Sequence, residues 1–191
     1  MFINKYISLV LLLSTIFFYN NILSVDQSDV FPELVYWTAI KKSNLEKVES
    51  FLSEGYSSNN KDDKEMTPIS YAVKLNNLEM IDLLLSYDAD IDGVFKDKMT
   101  PLIFAVSLNK KEMVDLLLFK GADLDKQDLL GRTALMLAIE KEFFEIAKTL
   151  IKHNMDHSLT DYSGKSISDY TENLRNLKLK KLIADFINSK N

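Results

Sequence analysis

Residues 66–72 read Met66-Thr67-Pro68-Ile69-Ser70-Tyr71-Ala72, and the stretch returns as Met99-Thr100-Pro101-Leu102-Ile103-Phe104-Ala105 and as Arg132-Thr133-Ala134-Leu135-Met136-Leu137-Ala138. The step is 33 residues both times. One step further lands on Lys165-Ser166-Ile167-Ser168, and one step back on Leu34-Val35-Tyr36. Ala39, Ala72, Ala105 and Ala138 keep the same interval, with Thr171 in the fifth register. A second signature, Leu83-Leu84-Leu85 with Asp88-Ala89-Asp90, recurs as Leu116-Leu117-Leu118 with Gly121-Ala122-Asp123. A fixed period of this length marks an array of stacked structural units.

Each unit makes physical sense as two helices. Thr67, Thr100, Thr133 and Ser166 precede a helical stretch and offer a hydroxyl to its free amide groups. Pro68 and Pro101 then fall at the first helical position, where the missing N–H costs nothing. The central alanine lets a neighbouring helix come close. Asn76 and Asn109 follow as turn residues that tolerate a left-handed backbone. A second helix carries Leu78, Ile81, Leu84 and Leu85 in one unit and Met113, Leu116 and Leu117 in the next. Gly55, Gly121 and Asn154 are expected to end that helix in the left-handed position, with Asp88 in the same slot of the second unit.

These residues resemble the ankyrin repeat family, whose unit reads Thr-Pro-Leu-His-x-Ala followed by Leu-Leu and Gly-Ala-Asp. The resemblance implies an all-α solenoid of about five helix-turn-helix units joined by hairpin-like loops, over 34–66, 67–99, 100–132, 133–165 and 166–191. The two end units are degenerate, as expected where only one neighbour exists. Ser70, Ile103, Met136 and Asp169 replace the family histidine, so apolar stacking must substitute for its hydrogen bonds. Trp37 takes that slot in the first unit and is expected to cap the core. Phe95 stands where the loop aspartate is seen as Asp62, Asp128 and Asp161.

The resemblance also implies a concave face of first helices and loop tips that binds proteins. Mapped onto this chain, its candidate partner-binding residues are Lys96, Met99, Leu129, Leu130, Arg132 and Tyr162 at the tips, and Lys74, Leu108 and Lys141 on the first helices. Leu75 shares that helix face. Phe95, Leu129-Leu130 and Tyr162 are expected to meet the partner, since a solvated loop has no need of apolar side chains. The alternative is that they fold back onto the neighbouring loop and stabilise the stack.

Composition narrows the alternatives. A formal charge of −5 argues against a nucleic-acid partner, whose phosphates demand a basic face. The absence of cysteine excludes disulfides, thiolate metal sites and cysteine nucleophiles. His153 and His157 are spaced like a helical zinc pair, but the repeat places the second in a loop, and no third ligand follows at motif spacing. No glycine-rich phosphate loop occurs, and neither histidine has a motif setting it beside a serine. Asp62-Asp63 reads as a solvated tip. No cofactor, metal, catalytic residue or small-molecule substrate is expected. Leu174, Leu177, Leu179, Leu182, Ile183 and Phe186, interleaved with Arg175, Lys178, Lys180 and Lys181, read as an amphipathic capping helix.

Residues 1–24 are a separate object. Lys5 precedes the apolar run Ile7–Tyr19, and Ser24 offers a small residue before Val25. This pattern is that of a secretory signal, with 25–33 as a linker to the array at 34–191. The apolar run is shorter than the roughly 18–20 residues a membrane span needs. Two readings stay open: an exported (periplasmic or secreted) monomeric binding module, or a scaffold tethered to the membrane by an uncleaved N-terminus.

Overall fold

A computed structural model describes residues 31–190. The segment read as signal, and most of the linker after it, lie outside the described residues. Among the described residues ten α-helices follow one another in pairs. They are α1 (Pro32–Lys41), α2 (Leu45–Ser53), α3 (Pro68–Leu75), α4 (Leu78–Ser86), α5 (Pro101–Ser107), α6 (Lys111–Phe119), α7 (Ala134–Glu140), α8 (Phe144–Leu150), α9 (Ile167–Thr171) and α10 (Leu177–Asn188). Among the described residues there are no strands, and no helix is long and apolar enough to cross a membrane.

The inner helices are placed by their caps. Thr67, Thr100 and Thr133 each accept the amide of the residue three ahead at 3.2–3.3 Å. Ser166 does the same for Asp169, whose carboxylate returns the bond to the Ser166 amide, so α9 starts on a reciprocal capping box. All four therefore occupy equivalent structural positions. Helix α1 has a proline at its start but no side-chain cap, and it begins at Pro32, two residues ahead of Leu34.

The helices stack in two layers. The inner row runs α1-α3-α5-α7-α9, each packed on the next, while the outer helices pair with their own inner helix. Ala39, Ala72, Ala105 and Ala138 are buried where the inner helices meet. Ile103 and Met136 are fully buried in the histidine slot and hold it by apolar packing. Ser70 there is buried and donates its hydroxyl to the Thr67 carbonyl at 2.7 Å, and Asp169 is exposed in a cap. Trp37 in the same slot is buried against Tyr71, with ring centroids 6.2 Å apart, and closes the first unit as expected. Leu84 and Leu117, in equivalent register, are fully buried on the outer helices. Truncating either to alanine would cost about 2–5 kcal/mol. At the far end Leu179, Ile183 and Phe186 of α10 face inward and Lys178, Lys180 and Lys181 face water.

Left-handed residues punctuate the chain at the same interval. Ser43, Asn76, Asn109 and Glu142 follow the inner helices, and Gly55, Asp88 and Gly121 follow the outer ones. The fourth outer helix departs from expectation. Helix α8 ends at Leu150, and Lys152 and His153 donate to the carbonyls three residues back, so the turn closes without a left-handed Asn154.

Candidate functional site

The loops between units end in tight tips, each built around one residue. Asp62 Oδ1 accepts the amides of Lys64 and Met66, Asp128 Oδ1 those of Leu130 and Arg132, and Asp161 Oδ1 those of Ser163 and Lys165, all at 2.8–3.0 Å. The returning chain closes each tip through backbone bonds such as Asp128 N–H to the Arg132 carbonyl at 3.0 Å. The Asp62 side chain is therefore nearly inaccessible, which corrects its reading as a solvated residue; Asp63 alone is the exposed member. Burial opposes ionisation of Asp62, but the Tyr71 hydroxyl, the Met66 amide and Lys41 outweigh it and hold the carboxyl below its usual range. Asp161 is held well below that range, chiefly by the hydroxyls of Ser163 and Tyr170.

Phe95 follows the local-packing alternative. It is 4% exposed and its ring meets Phe104 edge-on at 5.1 Å, so it packs locally and does not reach a partner. With no carboxylate to organise this tip, Asp97 also turns left-handed in a short 3-10 turn, beside Lys98, whose register is left-handed in every tip, at Glu65, Gly131 and Gly164.

Consecutive tips are stitched together, and unevenly. The Leu129 amide donates to the Asp97 carbonyl, and the Tyr162 amide to the Leu130 carbonyl, each at 3.0 Å and one repeat apart. Gln127 adds a side-chain bond to the Thr160 carbonyl at 2.9 Å. The equivalent bond from Lys96 to Lys64 is not formed. Tips two, three and four thus form one ladder, with the third and fourth joined most closely. Gly131 makes that approach possible: its φ is +80°, and a Cβ there would overlap the Tyr162 backbone nitrogen.

Clefts lie between the tips and the inner helices. One of them, of about 670 Å³, is beside α1 and lined by Phe31, Leu34, Trp37 and Asp63. Two further along hold candidate residues. One, of about 840 Å³, is lined by Lys74, Leu75 and Lys96 together with Lys41, Lys64 and Tyr71. The other, of about 620 Å³, brings together Leu129, Leu130, Arg132 and Tyr162 with Glu140, Tyr170 and Leu174. Leu129, Leu130 and Tyr162 are 53%, 57% and 65% exposed, on a ladder that fixes their backbones. Leu108 and Lys141 are exposed at the ends of α5 and α7 and line neither cleft.

Two candidates are tied inward. Met99 is half-buried against the core beneath its tip. Arg132 gives Nε and Nη2 to Asp128 at 2.9 and 2.7 Å and Nη1 to Glu140 at 2.7 Å, so it braces the cleft wall. Leu174, Tyr170 and Glu142 line the second cleft but escaped the sequence reading. Leu174 stands three repeat steps from Leu75 and two from Leu108, so the register alone could have found it. The carboxylate of Glu142 accepts the amides of Arg175 and Asn176 at 3.1 Å, a contact no spacing announces.

His153 is exposed beyond the end of α8, and His157 lies in the following loop with its ring 6.5 Å from that of Phe186. Among the described residues no group of three or more potential metal ligands occurs.

The model of ankyrin repeats (3 copies) matches residues 36–128, and that of a single ankyrin repeat matches residues 130–162. Among curated proteins none matches the chain. Equivalent threonine caps at a 33-residue step, two layers of stacked helices and these matches over most of the sequence lead to one conclusion: the chain belongs to the ankyrin repeat family.

Proposed function

We propose that this chain is a non-catalytic binding module that acts outside the cytoplasm as a monomer, holding a protein partner against its loop tips and inner helices. Ankyrin repeats are in general protein–protein interaction modules, and that part of the reading follows from the family. The observation that carries the rest is a one-sided distribution of exposed apolar side chains. Leu75, Leu108, Leu129, Leu130 and Tyr162 all lie along the tips and the ends of the inner helices. On the outer helices α2, α4, α6, α8 and α10 only Phe119 and Leu177, one at a helix end and one at a helix start, are comparably exposed large hydrophobic residues. Aromatic and aliphatic anchors ringed by polar groups are what interface hot spots look like.

Export is supported by the basic start and apolar run at Lys5 and Ile7–Tyr19. The tethered scaffold is the second reading, supported by the same run if it is retained. N-terminal sequencing of the mature chain separates them, a start near Val25 favouring the free module.

The test of the face is substitution. Leu129→Glu, Leu130→Glu and Tyr162→Glu, each on the exposed rim, should lower affinity for a captured partner at least tenfold while leaving the melting temperature within about 2 °C. Undiminished capture by all three variants would refute the proposed face.

A further inference from the structure

The second cleft, between the third and fourth tips, carries a charge as well as an apolar rim. Glu140, Glu142, Asp161 and Asp169 line it, against only two cations, Arg132 and Lys165. Arg132 is bound to Asp128 and Glu140 at once, so Glu140 is already paired within the wall. Four carboxylates against two cations leave a net charge of −2. The first cleft is different: Lys41, Lys64, Lys74 and Lys96 line it against three carboxylates. The face made by the tips and inner helices thus varies in charge along its length. It is negative between the third and fourth tips, slightly positive between the first and second, and negative again beside α1, where Glu33, Asp62 and Asp63 meet only Lys41.

From this juxtaposition we infer that the cleft bounded by Leu129, Leu130 and Tyr162 is the principal docking site, and that it takes a polypeptide segment presenting an arginine or lysine beside an aliphatic or aromatic side chain. This rests on the concave-face reading and specifies its partner. The apolar member lies on Leu130 and Tyr162, whose backbones are bonded to one another at 3.0 Å and so are ordered before binding. The cationic member meets the carboxylates of Glu140 and Asp169, which are exposed on the cleft wall. Each has one oxygen engaged, Glu140 Oε2 by Arg132 and Asp169 Oδ2 by Ser166. The negative charge persists through the neutral range, since Asp161 and Asp169 are both held below the usual carboxylate range by hydrogen bonds from neighbouring hydroxyls and amides. An acidic segment would face uncompensated repulsion there, and charge of this kind selects partners more than it adds affinity.

A displayed library of random sixteen-residue peptides, panned against the purified full-length chain, tests this. The selected peptides should be net basic with an apolar neighbour to the basic residue. Their binding should fall at least tenfold in Leu130→Asp and in Glu140→Lys, both judged folded by unchanged melting, and should weaken as salt rises from 50 to 500 mM. Peptides of neutral or acidic composition that lose binding in Leu130→Asp but not in Glu140→Lys would overturn the basic-partner inference and leave the docking face standing. Peptides indifferent to Leu130→Asp would overturn both. No enrichment above an unrelated control protein would overturn the inference as well.

Discussion

Tyr71 donates its hydroxyl to Asp62 Oδ2 at 2.6 Å, and Tyr170 does the same to Asp161 Oδ2 at 2.7 Å, three units further along. Between them the pair is varied as a pair. The second unit has Phe95 and Phe104 in the two positions, ring against ring. The third keeps its aspartate, but Leu137 stands where the tyrosine would be, and Arg132 supplies two donors to Asp128 Oδ2 instead. A buried carboxylate oxygen in a tip is never left without a partner, as the cost of desolvating an unpaired charge requires.

That pairing predicts coupling. Phe95→Asp alone should destabilise the fold by about 1–3 kcal/mol, because the new carboxylate would face the Phe104 ring. Adding Phe104→Tyr should recover at least about 1 kcal/mol by restoring the hydroxyl donor. Urea unfolding of the two singles and the double measures it. Strict additivity would mean that the pairs are coincidental.

Tip geometry predicts opposite effects of glycine at one register. Gly131→Ala should cost about 2–4 kcal/mol, combining a left-handed backbone with the overlap at Tyr162. Gly121→Ala has the same kind of φ but open space around the new methyl group and should cost only about 1 kcal/mol. Lys98 occupies the position of Gly131 one unit earlier at φ +54°, so Lys98→Gly should stabilise by about 0.5–1 kcal/mol. Equal costs for the two alanine variants would remove the close approach of the third and fourth tips from the account.

The tips also set the pH limits of stability. The folded-state carboxyls of Asp62 and Asp161 titrate below their unfolded values, so the stability they confer is complete above about pH 4 and is lost as pH falls further. Tyr71 and Tyr170 are shifted the other way, by burial first and then by the carboxylate each one contacts, and burial pushes the Tyr36 phenol up to about 12. Their contribution is complete below about pH 10 and is lost above it. Absorbance at 295 nm with circular dichroism should therefore show part of the phenolate signal appearing only with loss of helix. Reversible ionisation of every tyrosine in the folded chain near pH 10 would contradict this.

The fold was legible because the same chemistry is repeated at a fixed interval. Thr67, Thr100, Thr133 and Ser166 are recognisable as caps from one sequence because each validates the others. The site was legible only in part. Leu129, Leu130 and Tyr162 stood out as apolar residues at tips, and they are exposed. Phe95 gave the same signal and turned inward, because what decides its orientation is residue 104, nine positions on and on another element. The bonds between tips are backbone to backbone and leave no trace in residue type. The absence of a left-handed Asn154 reflects where α8 stops, which its composition does not fix.

The central claim is that the tips and inner helices, and not the outer helices, meet the partner. Photo-crosslinking from the chain in its native setting tests it most directly, with a photoreactive residue at Leu130 in one variant and at Phe119 in another. Phe119 is the more exposed of the two, at 83%, but lies on outer helix α6. A discrete protein adduct from position 130 and none from position 119 is the expected result; an adduct from 119 alone would contradict the account.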